Sequence, residues 1–144
     1  MTLIENVEPD MTSFLEPSEF AWGRVDKSTT VDVVTLDDFS SRHHIEYIHI
    51  LKSDTQGYEY EVLKGAKRLM NENRIAMVYL EFIFSDMYKG AAPFDQISGL
   101  LREHGFLLVC FYNPHFQEHL LSWNDALFIN SKFYAAFVRE KRQV

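Results

Sequence analysis

Two carboxylates near the middle of the chain, Asp54 and Glu81, each follow a short apolar run. Between them lie Gln56, Gly57 and Glu59, in the stretch Lys52-Ser53-Asp54-Thr55-Gln56-Gly57-Tyr58-Glu59. Paired carboxylates in one crevice can move a proton, bind an ammonium group or hold a metal. An acid at the carboxyl edge of a buried strand is poor packing material, so Asp54 is a candidate for direct contact with a ligand. Glu59 has a structural explanation of equal weight, because an acid in the first turn of a helix is favoured by the helix dipole.

These side chains need a framework that brings them together. Residues 47–51 are apolar and rich in β-branched types, which predicts a strand. From Tyr58 the period changes, and Val62, Leu63, Ala66, Leu69 and Met70 recur at three- and four-residue spacing on one helical face. Strand, polar turn and helix make half of a βαβ unit. Ligands of open α/β sheets sit outside the carboxyl ends of the strands. Residues 76–82 predict a second strand, ending in Glu81. If the two strands are parallel neighbours, about 4.8 Å apart, Asp54 and Glu81 share one crevice.

The run Lys52-x-Asp54-x-Gln56-Gly57-x-Glu59, followed by Val62-Leu63-x-Gly65-Ala66, resembles the signature of the FkbM-type methyltransferases. Ser53 stands where that family usually has an aliphatic residue, and Gln56 where it usually has Glu. The Val34-Thr35-Leu36-Asp37-Asp38-Phe39 segment resembles the family's Thr-Leu-Asp-Asp stretch. Val78-Tyr79-Leu80-Glu81, His104-Gly105-Phe106 and Asn124-Asp125-Ala126-Leu127-Phe128 resemble its later strands, in the family's order. The resemblance implies methyl transfer from S-adenosylmethionine to a hydroxyl of a small-molecule acceptor, a sugar or secondary metabolite. It implies Asp54 and Glu81 in the catalytic role, and Asp54, Gln56, Gly57 and Glu59 at the cofactor. It also implies that the stretch before residue 31 lies near the active site, where its aromatics, Trp22 among them, can line a substrate pocket.

The implied fold is α/β: a partial class I methyltransferase, or Rossmann-like, sheet, mostly parallel with an antiparallel last strand. Such enzymes hold their cofactor on a glycine-rich first turn. The six glycines here never fall within three residues of one another. The expectation is therefore a sheet without the first glycine-rich βαβ half, an apparently truncated domain. An edge strand left open in this way predicts a homodimer, or a partner that supplies the missing half. The rival reading is a non-catalytic α/β interaction module that pairs through that edge. A further rival is a metal-dependent hydrolase using Asp54, Glu81 and a histidine.

The rest of the chain sets boundaries. Residues 1–30 have no clear period and are read as an irregular arm or hairpin, with residues 31–144 as the α/β domain. Within it, residues 31–36 predict a strand, and Asp37 or Asp38 the N-cap of the turn that follows. Pro93 suits a helix start and Gly105 its end. Residues 106–112 form a continuous apolar run, read as a buried strand containing an inert, buried Cys110. Asn113-Pro114 marks a turn opening a loop to Asp125, and residues 126–129 are the last strand, able to pair antiparallel with 106–112. His115 and His119 have the spacing of two metal ligands on a helix, but Asn113-Pro114 beside them favours a loop, so no metal site is expected. His43-His44 reads as an exposed pair. Residues 132–141 predict a final helix, with Arg139, Lys141 and Arg142 at its negative end.

Charge and composition narrow the partners. The 144 residues carry 21 acidic and 14 basic side chains, a net charge of −7. No basic cluster precedes the last residues, which disfavours nucleic acid. No apolar run approaches the ~20 residues of a membrane span. The acidic first ten residues do not have the basic, then apolar, pattern of a signal peptide. A cytoplasmic protein is the expectation. A single cysteine allows neither an internal disulfide nor a redox pair.

Overall fold

In the computed structural model, which describes residues 1–141, the elements follow the chain as β1 (Thr2–Asn6), a 3-10 turn (Pro9–Met11), β2 (Val25–Thr30), α1 (Leu36–Arg42), β3 (Ile48–Ser53), α2 (Glu59–Lys64), α3 (Lys67–Asn71), β4 (Ile75–Ile83), α4 (Phe94–Glu103), β5 (Phe106–Gln117), β6 (Leu120–Asn130) and α5 (Ser131–Lys141). Arg142, expected at the end of the last helix, lies outside the described residues.

The main sheet has four strands in the order β3-β4-β6-β5. β3 and β4 are parallel, while β6 runs antiparallel to both β4 and β5. Three strands thus point one way and the last strand the other, inserted between them. The chain is an α/β protein with a mixed sheet.

β4 explains why the sheet holds. Ala76, Val78, Leu80 and Phe82 point to one face and are buried, as are Ala126 and Phe128 beside them on β6. Leu63, Ala66, Leu69 and Met70 from the α2–α3 segment and Ile97 and Leu101 from α4 close that core. The alternate positions of β4, including Tyr79 and Glu81, lie half-buried on the other face. The polar site therefore grows out of the sheet face away from the main core.

Several expectations change. Residues 31–35 are not a strand; the extended strand upstream is β2, paired antiparallel with β1 in a separate two-stranded sheet. The 3.6-residue period after Tyr58 holds, but the helix breaks at Gly65-Ala66. The N-cap of α1 is Thr35, whose hydroxyl accepts the Asp38 N–H at 3.1 Å. Asp37 instead accepts the N–H groups of Arg68 at 2.8 Å and Leu69 at 3.1 Å. It caps the helix that the break creates, and ties α1 to α3.

The strands of the last hairpin are longer than expected. β5 runs on past Asn113-Pro114, which sit at a register shift in an edge strand, the place where a proline does least harm. Glu118 and His119, both at positive φ, form the two-residue turn. His115 is therefore on a strand, stacked on Trp123 with ring centroids 4.7 Å apart, and not on a helix with His119. β5 is also not buried: after Phe106 every residue of it is exposed. Cys110 is exposed with it, contrary to its apolar context. The apolar run belongs to an edge strand rather than to a covered one. His43 and His44 are exposed as expected. Pro93 stands immediately before α4, and Gly105, at φ 79°, ends it.

Candidate functional site

Ser53 pairs with Leu80 in the parallel register, so the next residues along, Asp54 just past the end of β3 and Glu81 still within β4, stand side by side. Between them the backbone turns sharply. Gln56 has φ 53° and Gly57 φ 89°. A Cβ at Gly57 would be strained at that φ and would press on Leu15 and Ala91 at 3.2 and 3.3 Å. The glycine is required by the turn and by its neighbours.

This turn throws the Gln56 amide between the two acids. Its Nε2 donates to Glu81 Oε2 at 3.0 Å and to Asp54 Oδ1 at 3.3 Å. Its Oε1 accepts from the Tyr88 hydroxyl at 2.9 Å. Its backbone carbonyl accepts from the Ser13 hydroxyl at 2.7 Å. Lys52 pairs with Asp54 at 3.1 Å on the exposed side. On the neighbouring strand, Asp125 stands opposite Glu81 and accepts from Tyr79 and Asn113, each at 2.9 Å.

Glu59 is placed differently. Its carboxylate turns back to accept the Thr55 N–H at 2.6 Å and the Thr55 hydroxyl at 2.9 Å, and the residue is 2% exposed. It braces the turn from within and does not line the cleft.

The cleft outside Asp54, Gln56 and Glu81 has a volume of about 770 Å³, within the usual range of small-molecule sites. Glu8, Asp10, Trp22 and Trp123 complete its walls. Trp22 meets Trp123 edge to face, with centroids 5.1 Å apart. Among the described residues, no lysine or arginine lines it. Such walls favour a neutral or cationic ligand over an anionic one. Among the described residues, no group of three His, Cys, Asp or Glu side chains is placed to hold a metal.

Burial, and then the negative charge of Asp54, push the Glu81 carboxyl up to about 7. Burial raises Glu59 as well. The sign of the resulting pH dependence follows. Between about pH 4.5 and 7 the unfolded chain has released the Glu81 proton while the folded chain keeps it, so stability falls as pH rises through that window. Glu81 is partly solvated, which discounts the full shift to on the order of 1–2 kcal/mol. The melting temperature should be higher at pH 5 than at pH 8, and Glu81→Gln should flatten the difference. An unaltered slope in the variant would remove Glu81 as its source.

Sequence reasoning singled out Asp54, Gln56 and Gly57 at this turn and Glu81 on the neighbouring strand, and the structure brings these residues together. It missed Ser13, Tyr88 and Trp123, which come from distant segments with no local pattern to mark them.

The fold and cleft define an α/β protein with an acidic, tryptophan-walled cleft at the carboxyl end of β3, beside the parallel β4. The chain belongs to the FkbM methyltransferase domain family, whose model matches residues 4–108. Over 84 residues it is 33% identical to the 2-O-methyltransferase NoeI of Sinorhizobium fredii (strain NBRC 101917 / NGR234). That stretch is 58% of this chain and 34% of NoeI, so the match spans about a third of the relative's length. No solved structure matches the chain significantly.

Proposed function

We propose that this chain carries the catalytic and acceptor-binding part of an S-adenosylmethionine-dependent O-methyltransferase. The acceptor would be a hydroxyl of a sugar or secondary metabolite. The observation that carries the reading is the pair Asp54 and Glu81, held by one amide at the carboxyl ends of parallel strands in a family of methyltransferases.

The residues present fit one end of the methyl donor. Its sulfonium and ammonium groups outweigh its one carboxylate, so that end is a net cation, and Asp54, Glu81, Glu8 and Asp10 give the cleft an acidic wall. Among the described residues, no glycine-rich turn stands beside β3 to receive the adenosine end. When bound, the donor supplies an electrophilic methyl group. Asp54 would stand nearest its positive charge. Glu81 is the better base, because a carboxyl raised to about 7 both exists as its anion near neutral pH and holds a proton usefully. It would take the proton of the acceptor hydroxyl, while Trp22 and Trp123 hold the acceptor in line. Incubation with S-adenosylmethionine labelled in its methyl group, across hydroxylated acceptors, tests the reaction class. Label in an alkali-stable ether supports it; label only in nitrogen or carboxyl products refutes it.

The edge of β3 favours a partner for the sheet. Ile50 is 59% exposed there and Tyr47 37%. We infer self-association through this edge, which is also the ground for the non-catalytic reading. Light scattering should give a dimer at micromolar concentration, and Ile50→Lys a monomer. A monodisperse monomer from the unaltered chain contradicts the inference.

A further inference from the structure

We infer that Tyr88 is a positioning residue that acts on Asp54 and Glu81 through Gln56. Its hydroxyl fixes which end of the Gln56 amide faces the carboxylates. An amide can present its N–H groups or its carbonyl along the same direction by a half-turn of its last torsion. Facing two carboxylates, the N–H end attracts and the carbonyl end repels. Tyr88 locks in the first arrangement, because its O–H donates to Gln56 Oε1 at 2.9 Å and so holds the oxygen away from the acids.

The setting leaves the hydroxyl little alternative. Tyr88 is 3% exposed. Its other hydrogen-bond acceptors are the Met11 carbonyl at 3.3 Å and the Met11 sulfur at 3.8 Å, both longer contacts for its one proton. Antiparallel bridging of Tyr88 to Pro17 holds its backbone. The Gln56 main chain is pinned separately by Ser13. Backbone and side chain of Gln56 are thus fixed by two different segments, and the Tyr88 contact holds the amide from its oxygen end in the orientation that the two carboxylates favour.

The consequence falls on Glu81. The groups that face it are Asp54 after β3, Glu59 on α2, Asp125 on β6 and Lys52 on β3, with Gln56 as its hydrogen-bond donor. Three of the four charged groups are acids and only Lys52 favours the anion, so the Gln56 N–H is the donor placed directly on the Glu81 carboxylate to steady it. A glutamate at position 56, the usual residue in the resembled signature, would add a further acid in place of this donor. Remove the Tyr88 hydroxyl, and the amide oxygen loses its partner and the side chain is free to reorient. Glu81 then loses its donor.

The catalytic meaning of this rests on the methyltransferase reading above, but the positioning does not require it. The test is carbon-detected titration of the Glu81 carboxyl in the full chain, assigned by Glu81→Gln. Tyr88→Phe and Gln56→Leu should each move the Glu81 midpoint to higher pH by about one unit. The double variant should move it no further than Gln56→Leu alone, since Tyr88 acts only through the amide. An unmoved midpoint in folded Tyr88→Phe overturns the inference, as do shifts that simply add in the double variant. Should Tyr88→Phe not fold, the unaltered chain decides. Two slowly exchanging Gln56 side-chain protons whose resonances follow the Glu81 titration support the inference, and freely exchanging ones overturn it. In the active enzyme, Tyr88→Phe should shift the pH profile of kcat and leave KM nearly unchanged. Failure of methyl transfer alone, with the titration as expected, would sink the proposed function and not the positioning.

Discussion

Glu81→Gln should lower methyl transfer by roughly 10²–10⁴-fold, the usual worth of a placed general base. The variant should fold, since glutamine fills the same space and carries no charge into a partly buried position. In the unaltered enzyme the rate should rise with pH through about 7, as Glu81 loses its proton. In Glu81→Gln that rise should disappear from what rate remains. Asp54→Asn keeps an acceptor for the Gln56 N–H but loses the charge, and should also abolish turnover with the fold intact. Kinetics of both variants against pH are the check. Near-normal turnover in Glu81→Gln would exclude it as the base, and in Asp54→Asn would remove that residue from the reaction.

Phe82→Ala should cost about 3–5 kcal/mol of stability, the usual range for emptying an aromatic site in a core. Phe82 is 1% exposed. Its ring meets Phe94 at 5.0 Å and Phe128 at 6.1 Å, with Phe84 at 6.5 Å. Those neighbours come from α4, β6 and the segment after β4, so the space cannot close by moving one element. The melting temperature should fall by roughly 10–20 °C. Phe116, 66% exposed on β5, is the control, and its change to alanine should shift stability by no more than about 0.5 kcal/mol. Urea titration of both variants reads the contrast. Equal losses would mean that the core is not centred on Phe82.

What the sequence made legible was local. The shift from an apolar run to a 3.6-residue period located β3 and the α2–α3 segment. The sheet makes β3 and β4 parallel neighbours, the condition under which the two apolar runs bring Asp54 and Glu81 together. Glycine and proline marked both ends of α4. The failures have one physical origin, since periodicity reports a residue's type and not what covers it. Residues 106–112 read as a buried strand, yet they sit on an edge where nothing described covers most of them. Residues 31–35 have strand-forming types, but the pairing goes to the residues just before them. Asp37 has the look of a cap, and is one, for a helix 30 residues further on. The same holds at the site: Tyr88 and Ser13 reach Gln56 across 32 and 43 residues of chain, a convergence that no local pattern encodes.

The central claim is that the cleft at Asp54, Gln56 and Glu81 receives the cationic end of a methyl donor. Calorimetric titration of the folded chain with S-adenosylhomocysteine and with S-adenosylmethionine tests it most directly. The account predicts binding of both near micromolar strength, with S-adenosylmethionine the more weakened by Asp54→Asn because only it carries the sulfonium charge. No binding of either by the folded chain, or binding that Asp54→Asn and Glu81→Gln leave untouched, would contradict it.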